Sequence, residues 1–239
     1  MSYYDRALEL KDELIENRRY LHSHAEAGLT LPNTVAYVEK KLREYGIEPE
    51  RCGEGVTALI GKGGKVLLLR ADMDALEMPE ESGLAFASMD PQTAHCCGHD
   101  MHAAMLLTAA KMLKEHESEL QGTVKLMFQP GEECLNGSLN MLENGILENP
   151  KVDAALAYHV GPGKLPIGMF MYNDNSTMMY SNNEFSVTVK ATAPCRRTAL
   201  TRSASAHTSS LRCRRSSQES WIRMIPASLR WAPSTPERR

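Results

Sequence analysis

The stretch Val66-Leu67-Leu68-Leu69-Arg70-Ala71-Asp72-Met73-Asp74 decides how this chain folds. Its first four residues form a continuous apolar run with no polar alternation. Such a run fits a strand covered on both faces, as in α/β proteins. It ends in two carboxylates, two residues apart, which share a face where the strand continues through them. Two later stretches have the same build. Val124 to Phe128 runs into Gln129-Pro130-Gly131-Glu132-Glu133, and Ala154 to Tyr158 runs into His159. In open α/β sheets, ligands bind beyond the carboxyl ends of the strands. The three strand ends should therefore converge and bring Asp72, Asp74, Glu132, Glu133 and His159 together.

Between the first two strands lies Thr93-Ala94-His95-Cys96-Cys97-Gly98-His99-Asp100-Met101-His102, which holds two cysteines, three histidines and an aspartate in ten residues. It opens into a segment with apolar residues at helical spacing, Ala103 to Leu113, for which Asp100 would serve as N-cap. Outside this centre, residues 2–22 read as a surface helix. Thr34 to Tyr45 reads as a second helix, with Gly46 as its stop. Val56 to Ile60 reads as a strand, Gly61 to Gly64 as a hairpin-like turn, Leu139 to Leu147 as a helix, and Phe185 to Val189 as the first strand of something new. The expected architecture is α/β: a central mixed, largely parallel sheet flanked by helices.

Cys97 and His99 are separated by one glycine, and a thiolate with an imidazole suits zinc, cobalt or a similar cation, while carboxylates also accept manganese. Taken alone, Cys-x-His is as well read as a buried thiol beside a surface histidine, and Glu132-Glu133 as two solvated acids after a turn. Together, at converging strand ends, they read as a metal site in which one glutamate binds the cation and its neighbour acts as general base. Asp72 and Asp74 either hold ligand-bearing side chains in place or act as caps. His102 fits packing or capping at least as well as ligation, and His22, His24, His95 and His116 read as surface or structural.

The composition is that of a globular chain, with 239 residues, 42% hydrophobic and 24% charged. No apolar run approaches the ~20 residues of a membrane span. The charged N-terminus is unlike a secretory signal, so the expectation is a cytoplasmic protein with free or ligating cysteines. The net charge of −3 hides a break. Residues 1–190 carry 17 Lys+Arg against 28 Asp+Glu, whereas 191–239 carry 10 Arg against two Glu. The division expected is a partial catalytic domain over 1–184, a first lid strand over 185–190 and an Arg/Ser-rich, disordered tail over 191–239.

The ordered series Arg18-Arg19-x-Leu21-His22, Arg70-Ala71-Asp72-Met73-Asp74-Ala75-Leu76, His95-x-Cys97-Gly98-His99-Asp100-x-His102, Phe128-Gln129-Pro130-x-Glu132-Glu133 and His159-Val160 resembles the aminoacylase, hippurate-hydrolase and auxin-conjugate amidohydrolase branch of metallopeptidase family twenty. The resemblance covers roughly residues 15 to 190. It implies a zinc-peptidase-like catalytic domain and a metal-dependent hydrolase of N-acyl amino acids with two divalent ions, manganese, zinc or cobalt. By position it implies Cys97, His99, Glu133 and His159 as ligands, Glu132 as general base and Asp72 as a support residue. It further implies a small-molecule substrate, with no nucleic acid and no membrane as partner, and homodimers formed through the lid.

After Lys190 the family pattern, Gly-His-Gly-x-x-x-Pro-His followed by a lid and a last histidine ligand, gives way to Ala191-Thr192-Ala193-Pro194-Cys195-Arg196. Codons GCC-ACG-GCG-CCA-TGC for 191–195, read one base earlier behind a G, give Gly-His-Gly-Ala-Met. Thr201 to His207 and Ile222 to Glu237 decode in the same frame to strings that resemble the lid. The hypothesis is a single base lost near codon 191, and an intact frame on resequencing the source DNA would overturn it. On this reading the lid and the last ligand are missing, and the chain is a truncated, inactive enzyme. The alternatives are a non-catalytic metal-binding fragment and, from the arginines alone, a basic nucleic-acid-binding arm.

Overall fold

The computed structural model describes residues 2–161, 166 and 168–172, and the backbone of 210–215 and 218–223. It divides into two compact units, Met1–Lys164 and Leu165–Arg239. The boundary expected at 184 and the strand expected at Phe185–Val189 lie outside the described residues.

In the first unit, α1 (Tyr3–Glu9) and α2 (Lys11–Ser23) replace the single helix expected over 2–22. Helical bonds bridge the break at Leu10, from Leu10 N–H to Arg6 O and from Leu14 N–H to Leu10 O. Helix α3 (Pro32–Glu44) buries Val35, Val38 and Leu42, spaced to share one face. It stops where the sequence predicts. Gly46 takes φ +72°, its N–H bonds to Arg43 O, and that of Ile47 bonds to Leu42 O. This paired pattern satisfies carbonyls that the helix end would leave bare.

The sheet holds β1 (Pro49–Cys52), β2 (Gly55–Gly61), β3 (Val66–Asp72), β4 (Thr123–Gln129) and β5 (Ala154–Ala157) in the order β1-β2-β4-β3-β5. β3 runs parallel to β4 and β5, while β2 is antiparallel to both β1 and β4. The sheet is thus mixed as expected, but only its β4-β3-β5 half is parallel. The hairpin-like turn at Gly61 to Gly64 does not close a hairpin, because β4 is inserted between β2 and β3. The turn spans the start of β4 instead: Thr123 N–H donates to Lys65 O and its Oγ1 to Gly63 O. A Cβ on Gly64 would lie 2.5 Å from Gln121 O, which explains a glycine there.

Helix α4 (His99–Glu115) packs on one face of the sheet with α2 and α3. Leu107, Ala103, Ala104, Leu126, Phe128 and Ile60 form the centre of that core. Helix α5 (Gly137–Glu143) starts and ends slightly earlier than its apolar pattern suggests, and packs Met141 with Cys52, Leu68 and Met127 on the other face. In the second unit, β6 (Ser210–Arg215) and β7 (Gln218–Arg223) pair antiparallel. The rest of the tail over 191–239 lies outside the described residues.

Candidate metal centre

The parallel strands β4, β3 and β5 end on one edge of the sheet, with β3 in the middle. Asp72 is the last residue of β3, and its backbone is level with Gln129 of β4. The chain beyond β4 therefore delivers Glu132 and Glu133 on one side of Asp72, and the chain beyond β5 delivers His159 on the other. Helix α4 begins at the same edge, so the loop before it brings Cys97 and His99 to the centre. The backbone turns into α4 at Gly98, with φ +93°. A side chain there would collide with Val160. Gly98, not Asp100, is the N-cap. The Asp100 carboxylate is fully buried and faces Arg18 Nε at 2.7 Å and His22 Nδ1 at 2.8 Å instead.

Two histidines are held by the same device. His99 Nδ1 lies 2.9 Å from the Asp74 carbonyl oxygen, and His159 Nδ1 lies 2.7 Å from the Val160 carbonyl oxygen. A carbonyl only accepts, so each Nδ1–H donates to it and Nε2 is the nitrogen left facing the centre. His159 Nε2 is 3.3 Å from Cys97 Sγ. His99 Nε2 is 3.9 Å from Glu133 Oε1 and 4.0 Å from Glu132 Oε2. Donors from Cys97, His99 and His159, from His99, Glu132 and Glu133, and from Asp72, His99 and His102 form three clusters that share His99. The Glu133 backbone N–H donates to Asp74 Oδ2 at 3.0 Å, which fixes where the pair of glutamates points.

Charge at the centre is lopsided. Asp72, Asp74, Glu132 and Glu133 converge, and among the described residues Arg70 is the one arginine or lysine paired with any of them, at 2.7 Å from Asp72 Oδ2. Burial and the nearby carboxylates of Glu133, Glu132 and Asp72 push the Cys97 thiol up to about 12. Burial, with Glu133 and Asp72, raises Glu132 against the pull of His99. Burial also opposes ionisation of Asp72, but His102 and Arg70 outweigh it and hold that carboxyl below its ordinary range.

These residues fit a divalent cation. His99 Nε2 and Glu133 Oε1 are buried atoms with no hydrogen-bond partner, and such orphans are costly unless something else satisfies them. Bond lengths of ~2.3 Å to sulfur and ~2.0–2.1 Å to nitrogen place tetrahedral donors about 3.3–3.6 Å apart, close to the 3.3 and 3.9 Å seen here. A thiolate, imidazoles and carboxylates together suit zinc, cobalt or manganese.

In the cluster of Asp72, His99 and His102 both ring nitrogens of His102 already have protein partners. Nδ1 lies 2.5 Å from Asp72 Oδ1, and Nε2 accepts the Val160 N–H at 2.9 Å. The Asp72 carboxylate thus meets His102 and Arg70, while Asp74 meets His99 and the Glu133 backbone. Of the two alternatives for His22 and His95, surface or structural, both are buried and so fit the second. His22 bridges Asp100 and Glu80, and Phe86 stacks under Arg18 and Arg19, each 5.0 Å from its ring. This tie holds the loop before Cys97 against α2. Arg18 and His22 were visible as a motif without an assigned role, and nothing in the sequence pointed to Glu80.

A family model described as peptidase family M20/M25/M40 matches residues 68–220, a span that extends past residue 191. An N-acetyl-L-cysteine deacetylase of Bacillus subtilis is 40% identical over 157 residues, which is 64% of this chain and 37% of that protein. A hippurate hydrolase of Campylobacter jejuni is 35% identical over 195 residues, 79% of this chain and 49% of that protein. A crystal structure from Bacillus subtilis, described as a dinuclear metal binding peptidase from family M20, superposes with a TM-score of 0.60 at 38% identity, covering 63% of this chain and 43% of that one. The chain thus spans half or less of the length of the relatives it matches. Among the described residues, no helix is long and apolar enough to cross a membrane.

Proposed function

Because the chain belongs to peptidase family M20/M25/M40, we propose that its centre serves metal-dependent hydrolysis of the amide bond of N-acyl amino acids. One observation carries the reading: Cys97, His99 and His159 on one side, and His99, Glu132 and Glu133 on the other, bring donor atoms within 4.8 Å of one another, and His99 Nε2 and Glu133 Oε1 are buried there without a hydrogen-bond partner. Cys97, His99, Glu133 and His159 would hold the cation. The names of relatives that act on N-acetylcysteine and hippurate and the dinuclear neighbour support small N-acyl amino acids as substrates and two ions as the complement. A bound cation supplies Lewis acidity, which polarises a carbonyl and eases ionisation of water.

The chain's own residues do the rest. Glu132 is raised by burial and keeps both carboxylate oxygens free of hydrogen bonds to described residues, so it is suited to take a proton from the attacking water and pass it to the leaving amine. Asp74 fixes the His99 ring and the Glu133 backbone at once. Arg70 and Asp72 keep the floor of the site ionised and rigid.

A second reading is favoured by the sequence after Lys190, where Ala191-Thr192-Ala193-Pro194-Cys195 stands in place of the Gly-His-Gly pattern implied by the resemblance. On that reading this chain binds metal and turns over little. The test is release of the amino acid from hippurate and from N-acetylcysteine, with manganese, zinc or cobalt, by this chain and by one with a base restored ahead of codon 191. Turnover is expected in the restored chain and should fall by about 10²–10⁴ in Glu132→Gln while metal is retained. No hydrolysis by the restored chain with any of the three metals would refute the enzyme reading. Full turnover by the chain as it stands would refute the second.

A further inference from the structure

We propose that His102 is a positioning residue that sets the place of the His159 ligand, working through the Val160 backbone; this rests on the metal-site reading above. The residues form one continuous chain of contacts. Arg70 Nη1 meets Asp72 Oδ2 at 2.7 Å, and Asp72 Oδ1 meets His102 Nδ1 at 2.5 Å. His102 Nε2 accepts the Val160 N–H at 2.9 Å, and the Val160 carbonyl accepts the His159 Nδ1–H at 2.7 Å. The far nitrogen of His159 then faces Cys97 Sγ at 3.3 Å.

The tautomer of His102 follows from its partners. A backbone N–H can only donate, so Nε2 must carry the lone pair and Nδ1 the proton, which goes to the Asp72 carboxylate. That assignment leaves His102 no lone pair for a cation. It also makes His102 a gauge: it sits in the first turn of α4, beside His99, and measures the distance from that turn to the chain leaving β5.

The gauge is needed because His159 is otherwise loosely held. Its side chain is exposed, and β5 is a four-residue strand, outermost among the described residues, with every residue exposed. By contrast, His102 is 1% exposed and cannot shift without disturbing the core. The Val160 side chain gives a second constraint, since it fills the space above Gly98 that any Cβ would occupy. Backbone and side chain of Val160 thus both press the His159 segment onto the start of α4. Ligands oriented by such outer partners lose ~10–100-fold in metal affinity when the partner goes.

The test uses cobalt as the probe, titrated into the full chain and read by visible absorption, where the thiolate–cobalt charge-transfer band reports Cys97. His102→Phe should weaken cobalt binding about 10–100-fold while the thiolate band still forms at saturation. His102→Gln, which keeps an acceptor for the Val160 N–H, should recover most of that loss. In a His159→Ala background, His102→Phe should add little, because partners in one chain of contacts are not additive. If His102→Phe does not fold, Val160→Pro, which deletes the N–H and leaves His102 in place, carries the same expectation. Additive effects, or a lowered melting temperature with unchanged cobalt affinity, would overturn the proposal. Failure of the wild-type chain to bind cobalt would instead overturn the metal-site reading on which it rests.

Discussion

Replacing His99 with alanine should abolish the stabilisation that divalent cations give this protein. The imidazole is fully buried, its Nδ1 is committed to the Asp74 carbonyl, and the residue is common to all three donor clusters. A cation at 100 times its dissociation constant stabilises the native state by ~2.7 kcal/mol. For a unit the size of Met1–Lys164, each kcal/mol moves the melting midpoint by roughly 2–4 °C, so saturation should raise it by about 5–11 °C. His99→Ala should melt lower even without metal, since it leaves the Asp74 carbonyl unpaired at a cost of ~1–3 kcal/mol. The decisive quantity is therefore a difference of differences: melts of wild type and variant, each in chelator and in zinc, manganese or cobalt. The wild type should respond and the variant should not. A wild type indifferent to all three ions, or a variant that responds as fully as the wild type, would refute the assignment of His99 as the shared ligand.

The buried pairing of His22 with Asp100 and Glu80 gives a pH signature. Its hydrogen bond to Asp100 raises the His22 pKa above 6.5 despite burial. Its contribution is thus complete below the unfolded value and is lost as pH rises through the folded one. His22→Gln should cost ~1.5–3 kcal/mol in urea denaturation near pH 5.5, and the deficit should shrink on the alkaline side; a pH-independent deficit would mean the imidazole is held neutral. Leu107→Ala empties a fully buried site in the centre of the core and should cost ~2–5 kcal/mol without changing the cobalt spectrum. An altered spectrum would show that the core and the metal centre are coupled.

Much of the centre was readable from residue order alone. Cys97, His99, Glu132, Glu133 and His159 carry their chemistry on their faces, and the apolar runs ahead of them announced the strands that deliver them. What the sequence hid is pairing over distance. β1, with its Pro-Glu-Arg-Cys composition, has no apolar run to betray it. The turn at Gly61 to Gly64 looks local, yet its partner strand begins about sixty residues later. Arg18 and His22 find Asp100 some eighty residues away. His102 could be read as a ligand, a cap or packing until Val160 supplied the donor that settled its tautomer. Local pattern fixes which residues are chemically able; long-range register decides which are used.

The insertion of β4 between its two predecessors has a temporal consequence. As the chain leaves the ribosome, β2 and β3 emerge one after the other with no neighbour to share between them. The helix that lies over them, and the loop that bears the cysteine and histidine, are both made before the strand that will join them. Contacts so far apart in sequence form slowly. The nascent polypeptide therefore exposes the sticky borders of half a sheet until residue 129 is free to slide in, and whatever shields those borders in the interval governs how much of the protein reaches its native form.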